Sequence, residues 1–270
     1  NDMLRSEMLP TVRLTEIFRQ AQQSAIIRTA HAVNEGTLPE LKNTANSDFF
    51  FMRRRDPLTA VDLVVELCKK RLPDSMGIPP DQIQVLCPTR KGDWGTAALN
   101  RALQKALNPP HPDKRQKIWG DTVFRVGDRV MQIRNNYDVL WLRSDGLTGS
   151  GIFNGDVGVV EEIDPSGEMM TIRFDDRTAT YVTDMLSELE LAYAITIHKS
   201  QGSEYPAAVI PLHSGPRMLM TRNLLYTAVT RAKKCVCIVG LQSSFVGMID
   251  NRLEQKRYSS LDEQIVSFMG

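Results

Sequence analysis

Tyr193-Ala-Ile-Thr-Ile-His-Lys-Ser-Gln-Gly-Ser-Glu-Tyr-Pro206, followed at once by Ala207-Ala-Val-Ile-Pro-Leu212, is the stretch on which the reading of this fold turns. An apolar run without polar alternation is what a strand shows when both faces of its sheet are covered. A second such run, Cys235-Val-Cys-Ile-Val-Gly240, closes the segment that begins Arg222-Asn-Leu-Leu-Tyr-Thr-Ala-Val-Thr-Arg-Ala-Lys233. In both places polar residues able to meet phosphate stand directly beside a buried element. The expectation is an α/β domain built on a parallel sheet.

Upstream the same alternation of helix and strand continues. Ser24 is placed to cap a helix with Ile26, Ile27, Ala30 and Val33 on one face, ended by Gly36. Phe49–Met52 reads as a buried strand. Asp56-Pro57 reads as a helix start, with Val61, Val64, Val65, Leu67 and Cys68 turned inward. Ile83–Cys87 is a short strand followed by Pro88-Thr-Arg-Lys-Gly-Asp-Trp-Gly95. An amphipathic helix carrying Leu99, Ala102, Leu103, Ala106 and Leu107 then stops at Pro109-Pro110. From about Val123 to Leu186 the period is two, with strands at 126–133, 158–163, 170–174 and 180–182. Turns at 154–156, 164–167 and 175–176 separate them. Five or so short strands in that space predict a small barrel inserted into the α/β domain. The resulting division is 1–122 for the first part of the α/β domain, 123–187 for the barrel and 188–270 for the second part.

Thirty-three Lys and Arg against 32 Asp and Glu leave a net charge of +1. Any nucleic-acid contact therefore needs a local cluster of cations rather than a bulk field. The four cysteines, Cys68, Cys87, Cys235 and Cys237, lie in apolar runs without a C-x-x-C pair, which predicts buried thiols in a reducing cytoplasm. No metal site is expected. No apolar run is long enough for a membrane span. The opening Asn1-Asp-Met is no targeting segment and reads as a cut from a longer protein.

Arg231 offers a permanently charged planar fork, the group that best matches phosphoryl oxygens. In Gln201-Gly-Ser-Glu204 the glycine lets the backbone approach a phosphate closely, the glutamine donates, and Glu204 accepts. No G-x-x-x-x-G-K-[S/T] loop occurs, so the chain carries one wall of a nucleotide site without the phosphate cradle. Plain structural readings stand beside these. Arg231 suits a helix surface, Arg19 an ion pair with Glu16, and Gln201–Glu204 a helix-ending turn. Trp94 suits either a stacked base or packing. The runs Arg53–Arg55 and Lys69–Arg71 read as solvated faces.

In order, Arg13–Gln20, Val85-Leu-Cys-Pro-Thr-Arg90, Tyr193–Pro206 and Arg222–Lys233 resemble the later motifs of superfamily 1 helicases, in the RecD-like branch (the exodeoxyribonuclease V alpha subunit family). The resemblance implies a RecA-like, P-loop-NTPase-type second motor domain without its own P-loop, interrupted by an SH3-like barrel. It implies an ATP-dependent DNA helicase, moving 5′-to-3′ on single-stranded DNA, with roles in DNA repair and recombination. Arg231 and Arg19 then correspond to catalytic γ-phosphate arginines, and Gln201, Gly202 and Glu204 to nucleotide contacts. Thr89, Arg90, Thr196, His198 and Lys199 correspond to DNA contacts. ATP with Mg2+ would be held mostly by a first motor domain of the same chain, and this segment alone would be inactive. The barrel would shape the DNA path or dock a protein partner. A non-catalytic nucleic-acid or partner-binding module, an RNA helicase and a conjugative relaxase-helicase are the competing readings.

Overall fold

The computed structural model of the chain describes residues 2–12, 23–253 and 259–269. In chain order its strands begin with β1 (Phe49–Arg53), β2 (Ile83–Cys87), β3 (Gln116–Trp119), β4 (Thr122–Arg125) and β5 (Arg129–Gln132). They continue with β6 (Asn136–Arg143), β7 (Thr148–Ile152), β8 (Val157–Ile163), β9 (Met169–Phe174) and β10 (Arg177–Val182). The last are β11 (Leu189–Leu191), β12 (Ala194–Thr196), β13 (Tyr205–Leu212) and β14 (Ala232–Gly240). Five helices frame the site: α1 (Ala25–Glu35), α2 (Pro57–Glu66), α3 (Thr96–Leu107), α4 (Arg222–Val229) and α5 (Gln242–Asp250).

The parallel sheet runs β1-β14-β13-β2-β12, and every neighbouring pair in it is parallel. Its central strands explain their unbroken apolar sequence. Successive residues point to opposite faces. Ala208 and Ile210 enter a cluster with Ile26, Val33, Leu225 and Phe245, whereas Ala207 and Val209 join Leu63, Val64, Leu99 and Leu103 on the other side. Helices thus cover both faces, as a parallel sheet requires. At its free edge, the Asn43 carboxamide closes a two-way bond with the Phe51 backbone, accepting at 2.8 Å and donating at 3.0 Å. That side chain occupies groups that would otherwise invite another strand.

The local punctuation behaves as its chemistry dictates. Ser24 Oγ accepts from Ile27 N, and Gly36 ends α1 at a φ of 83°. Asp56 accepts from Thr59 N ahead of Pro57 in the first turn of α2. The buried stripe continuing from α2 is Ala60, Leu63, Val64, Leu67 and Cys68, so the expected Val61 and Val65 pack only at its margin. Lys69, Lys70 and Arg71 fall in a π-helical turn and are exposed. All four cysteines are free and buried, and burial pushes the Cys68 thiol up to about 12.

Between α3 and β12 lies a seven-stranded antiparallel sheet ordered β11-β5-β8-β9-β10-β6-β7, with β3 and β4 as a separate hairpin. The strands expected at 126–133, 158–163, 170–174 and 180–182 correspond to β5, β8, β9 and β10; β11 follows the expected barrel, and the expectation missed β6 and β7. Their Thr148-Gly-Ser-Gly-Ile152 half carries two glycines and no apolar alternation, which at sequence level looks like a turn. Gly149 is where the Trp141 ring crosses the partner strand: a Cβ there would run into the ring. The β9–β10 hairpin turns at Asp175 with φ 52°, a left-handed position that aspartate tolerates.

This antiparallel unit shares one continuous core with the parallel sheet, since Phe124, Val130 and Ile172 belong to the same cluster as Val85 and Leu103. The junction is polar at its centre. Fully buried Asp128 accepts from Gln104 Nε2 at 2.6 Å, Asn108 Nδ2 at 2.7 Å, Arg125 N at 2.7 Å and Tyr193 Oη at 2.8 Å. One turn earlier on α3, Asn100 donates to Leu191 O and Ala194 O and accepts from Ala194 N. Three carboxamides spaced four apart, Asn100, Gln104 and Asn108, therefore fasten the insertion and the strand that follows it to one helix face.

Candidate nucleotide and nucleic-acid site

All strands of the parallel sheet point one way, so their ends form two opposite edges. At the carboxyl edge, Thr89 and Arg90 follow β2, and Thr196 ends the adjacent β12. Thr89 O accepts from Thr96 N and Arg90 O from Ala97 N, which ties the loop to the start of α3. Thr196 Oγ1 accepts from Lys199 N and so caps the short 3-10 turn Ile197–Ser200, its own hydroxyl proton still available for donation. His198 is exposed on that turn.

Glu190 gathers the cations. Its carboxylate takes Arg90 on one oxygen and Lys199 Nζ at 3.1 Å on the other. Two residues 109 positions apart are thereby held side by side, Arg90 exposed and Lys199 partly buried. Sequence reasoning passed over Glu190 because a lone acid at a strand end carries no pattern. Glu190→Gln removes an anion from beside Arg90 and Lys199, and is expected to tighten binding of single-stranded DNA, the ligand that the sequence resemblance implies for this edge, about three- to tenfold at low salt. An anisotropy titration measures this. Folding stability should move by about 1 kcal/mol or less, since the arginine side of the cluster is exposed and Lys199 is only partly buried.

At the amino edge, the Gln201–Glu204 turn enters β13 and Arg231 enters β14. Arg231 donates from Nη1 to Ser203 O at 3.0 Å and from Nε to Thr227 O at 3.2 Å, while its own carbonyl accepts from Tyr205 N at 2.8 Å. The guanidinium is thus fixed against the glycine turn, as the sequence pairing of the two motifs requires. Gly202 has φ 86°, and a Cβ there would meet nothing within 4 Å, so the outer side of the turn is open. Gln201 is exposed beside it. Glu204 pairs with Lys233 Nζ at 2.7 Å, and that ammonium holds its carboxyl below the usual range. Lys233 is a cation of this cluster that the sequence reading did not single out.

The segment from Thr196 to Tyr205 joins the two edges. Thr196 is level with Cys87 and Ala207 with Ile83, a drop of four rungs, or roughly 13 Å at strand spacing. Arg19 lies outside the described residues. Among the described residues no group of three or more His, Cys, Asp or Glu gathers in a way that could hold a metal ion, and no helix is long and apolar enough to cross a membrane.

Comparison with known proteins finds helicase domains along the chain. Residues 99–174 match the family described as ATP-dependent RecD-like DNA helicase SH3 domain, and residues 191–239 match the UvrD-like helicase C-terminal domain. The ATP-dependent RecD2 DNA helicase of Deinococcus radiodurans is 31% identical over 96% of this chain, and the RecBCD enzyme subunit RecD of Mycolicibacterium smegmatis is 33% identical over 64%. The chain spans 33% and 27% of the lengths of those relatives. A solved Pif1 helicase from Bacteroides in complex with ADP-AlF3 and ssDNA is 21% identical, with a TM-score of 0.48 over 95% of this chain and 56% of that one. With two successive helicase domains matched, and likeness to a RecD2 helicase along nearly its whole length, the chain is similar to part of the RecD-like DNA helicases.

Proposed function

We propose that this chain forms the part of an ATP-driven motor that supplies an arginine finger to the nucleotide and half of the track for single-stranded DNA, with 5′-to-3′ translocation as in the family it resembles. The observation that carries the reading is the paired layout: a cationic carboxyl edge and an arginine-plus-glycine-turn amino edge, joined by one short segment of chain.

The amino-edge residues fit the outer end of a nucleoside triphosphate. ATP, with Mg2+, would bring a γ-phosphoryl group on which negative charge grows during transfer. Arg231 presents its planar fork, already oriented by Ser203 O and Thr227 O, so little rotamer freedom is lost when a phosphate oxygen arrives. Gly202 leaves the backbone uncovered on the open side of the turn, and Gln201 offers a carboxamide N–H. Arg19 is assigned to the same end as a second arginine. The phosphate cradle and the magnesium ligands are assigned to a first motor domain.

At the other edge, Arg90, Lys199, Thr89 and Thr196 face the sugar-phosphate backbone, and His198 sits on the turn between track and pocket. Such contacts read phosphate rather than sequence. Movement of the 197–204 segment is the device by which occupancy of one edge is felt at the other. The 123–187 insertion is assigned to shaping the DNA path or docking a protein partner, and the whole to the cytoplasm.

Salt titration tests the track. For single strands, each cation lost from the phosphate path lowers the slope of log affinity against log salt by about 0.7. Arg90→Ala and Lys199→Ala should each do so, with weaker binding at every sequence tested. Slopes unchanged in both variants would remove the track from this edge, and equal affinity for single-stranded RNA would favour an RNA motor.

A further inference from the structure

The carboxyl edge does not stop at β2. The next strand, β13, ends at Leu212, and His213-Ser-Gly215 lies beside the Thr89 loop: a Cβ on Gly215 would stand 3.6 Å from Thr89 Cγ2. Trp94, reaching over from the same loop as Thr89, lies flat on the His213 ring, with centroids 4.9 Å apart and planes inclined by 22°. Trp94 is buried and its Nε1 has no partner, whereas His213 is half-exposed. Ser214 Oγ lies 3.0 Å from His213 Nδ1 and fixes the ring edge.

Beyond His213 opens a cavity of about 360 Å³ between the 213–220 loop and α5, bordered by His213, Ser214, Arg217, Ser244, Gly247 and Asp250. Trp94 does not line it. Asn251 holds the loop in place by donating to Arg217 O and Met220 O, both at 2.7 Å. The volume suits a nucleobase with its sugar. The walls offer an aromatic ring backed by another ring, a guanidinium, a hydroxyl and a carboxylate, groups that stack on a base and meet its polar edge.

We infer that this cavity receives one base of the single strand, stacked on His213, with Trp94 as the rigid backing that keeps the ring upright. This deepens the proposed nucleic-acid track and rests on it. Three neighbouring strand ends then act in line: β12 and β2 grip phosphates, and β13 takes a base. One seated base per step gives the motor a holding point that sugar-phosphate contacts alone lack.

An abasic scan on the full 270-residue chain tests this. Oligothymidylate is compared with the same strand carrying one abasic residue, moved position by position. For the unsubstituted chain one position should lose about 5- to 150-fold in affinity, the range of a stacked base, while the others change little. His213→Ala should erase the dependence on position, and His213→Phe should keep it. A Cβ at Gly247, in the cavity lining, meets nothing within 4 Å, so Gly247→Leu starts without a backbone clash, occupies part of the cavity and should also erase it. Thermal melting separates these effects from unfolding. If His213→Ala and Gly247→Leu, both folded, retain the wild-type profile, or if every abasic position costs the same, the base site is wrong while the phosphate track stands. No binding of oligothymidylate by the unsubstituted chain overturns the track and this site together.

Discussion

Arg231→Ala, made in the ATP-hydrolysing motor that includes this chain, is expected to lower kcat by roughly 10³–10⁵ while single-stranded DNA affinity changes by less than about threefold. The size follows from where the charge sits: a guanidinium aimed at a phosphoryl group acts on the transition state, and its loss is felt mainly in rate. The split follows from the sheet. Arg231 lies at the amino edge on the Gln201–Glu204 turn, whereas Arg90 and Lys199 lie at the carboxyl edge around Glu190. Arg231→Lys should recover only a small part of the rate, because a point charge cannot reproduce the fork that bonds Ser203 O and Thr227 O together. Steady-state ATPase assays and anisotropy on the same preparations decide the matter. Equal losses of rate and DNA binding would assign Arg231 a structural role.

Asp128→Ala should cost about 3–5 kcal/mol of folding stability, measured by denaturant unfolding, since it leaves buried donors without partners. Gln104 and Asn108 keep second acceptors at Val123 O and Val126 O, but the Tyr193 hydroxyl and Arg125 N–H lose theirs. Burial raises the Asp128 carboxyl above its ordinary range, and the four donors only partly pull it back. The folded state therefore binds this proton more tightly than the unfolded state. Its contribution makes the fold more stable as pH falls from above the raised value toward the ordinary carboxylate range, and less stable in the other direction. Asp128→Asn should abolish that part of the pH profile. Because Tyr193 directly precedes β12, the loss should also reach DNA binding through Thr196 and Lys199.

Much of the layout is legible in local chemistry. Ser24, Gly36 and Asp56-Pro57 mark helix ends because capping is decided within four residues. The two apolar runs declare covered strands because burial on both faces admits no polar alternation. The pairing of Arg231 with the glycine turn is also foreshadowed, since both precede adjacent strands. The stripe Asn100, Gln104 and Asn108 is another matter. Its four-residue spacing is visible, yet carboxamides on an amphipathic helix ordinarily face water, and only the insertion packed above them turns that face into an interior. Glu190, Lys233 and His213 went unremarked for the same reason: none carries a pattern of its own.

The amino-acid order alone determined the class of fold, the helicase kinship and the types of residue available to phosphate, because propensity, capping and hydrophobic period act over a few residues. Tertiary structure alone decided which of them meet. Glu190 joins Arg90 to Lys199, Ser203 O anchors Arg231, and Trp94 backs His213, through contacts that span from 9 to more than 100 residues. The longer of these exist only after distant strands have settled side by side, and nothing in the local sequence encodes the register in which they do so.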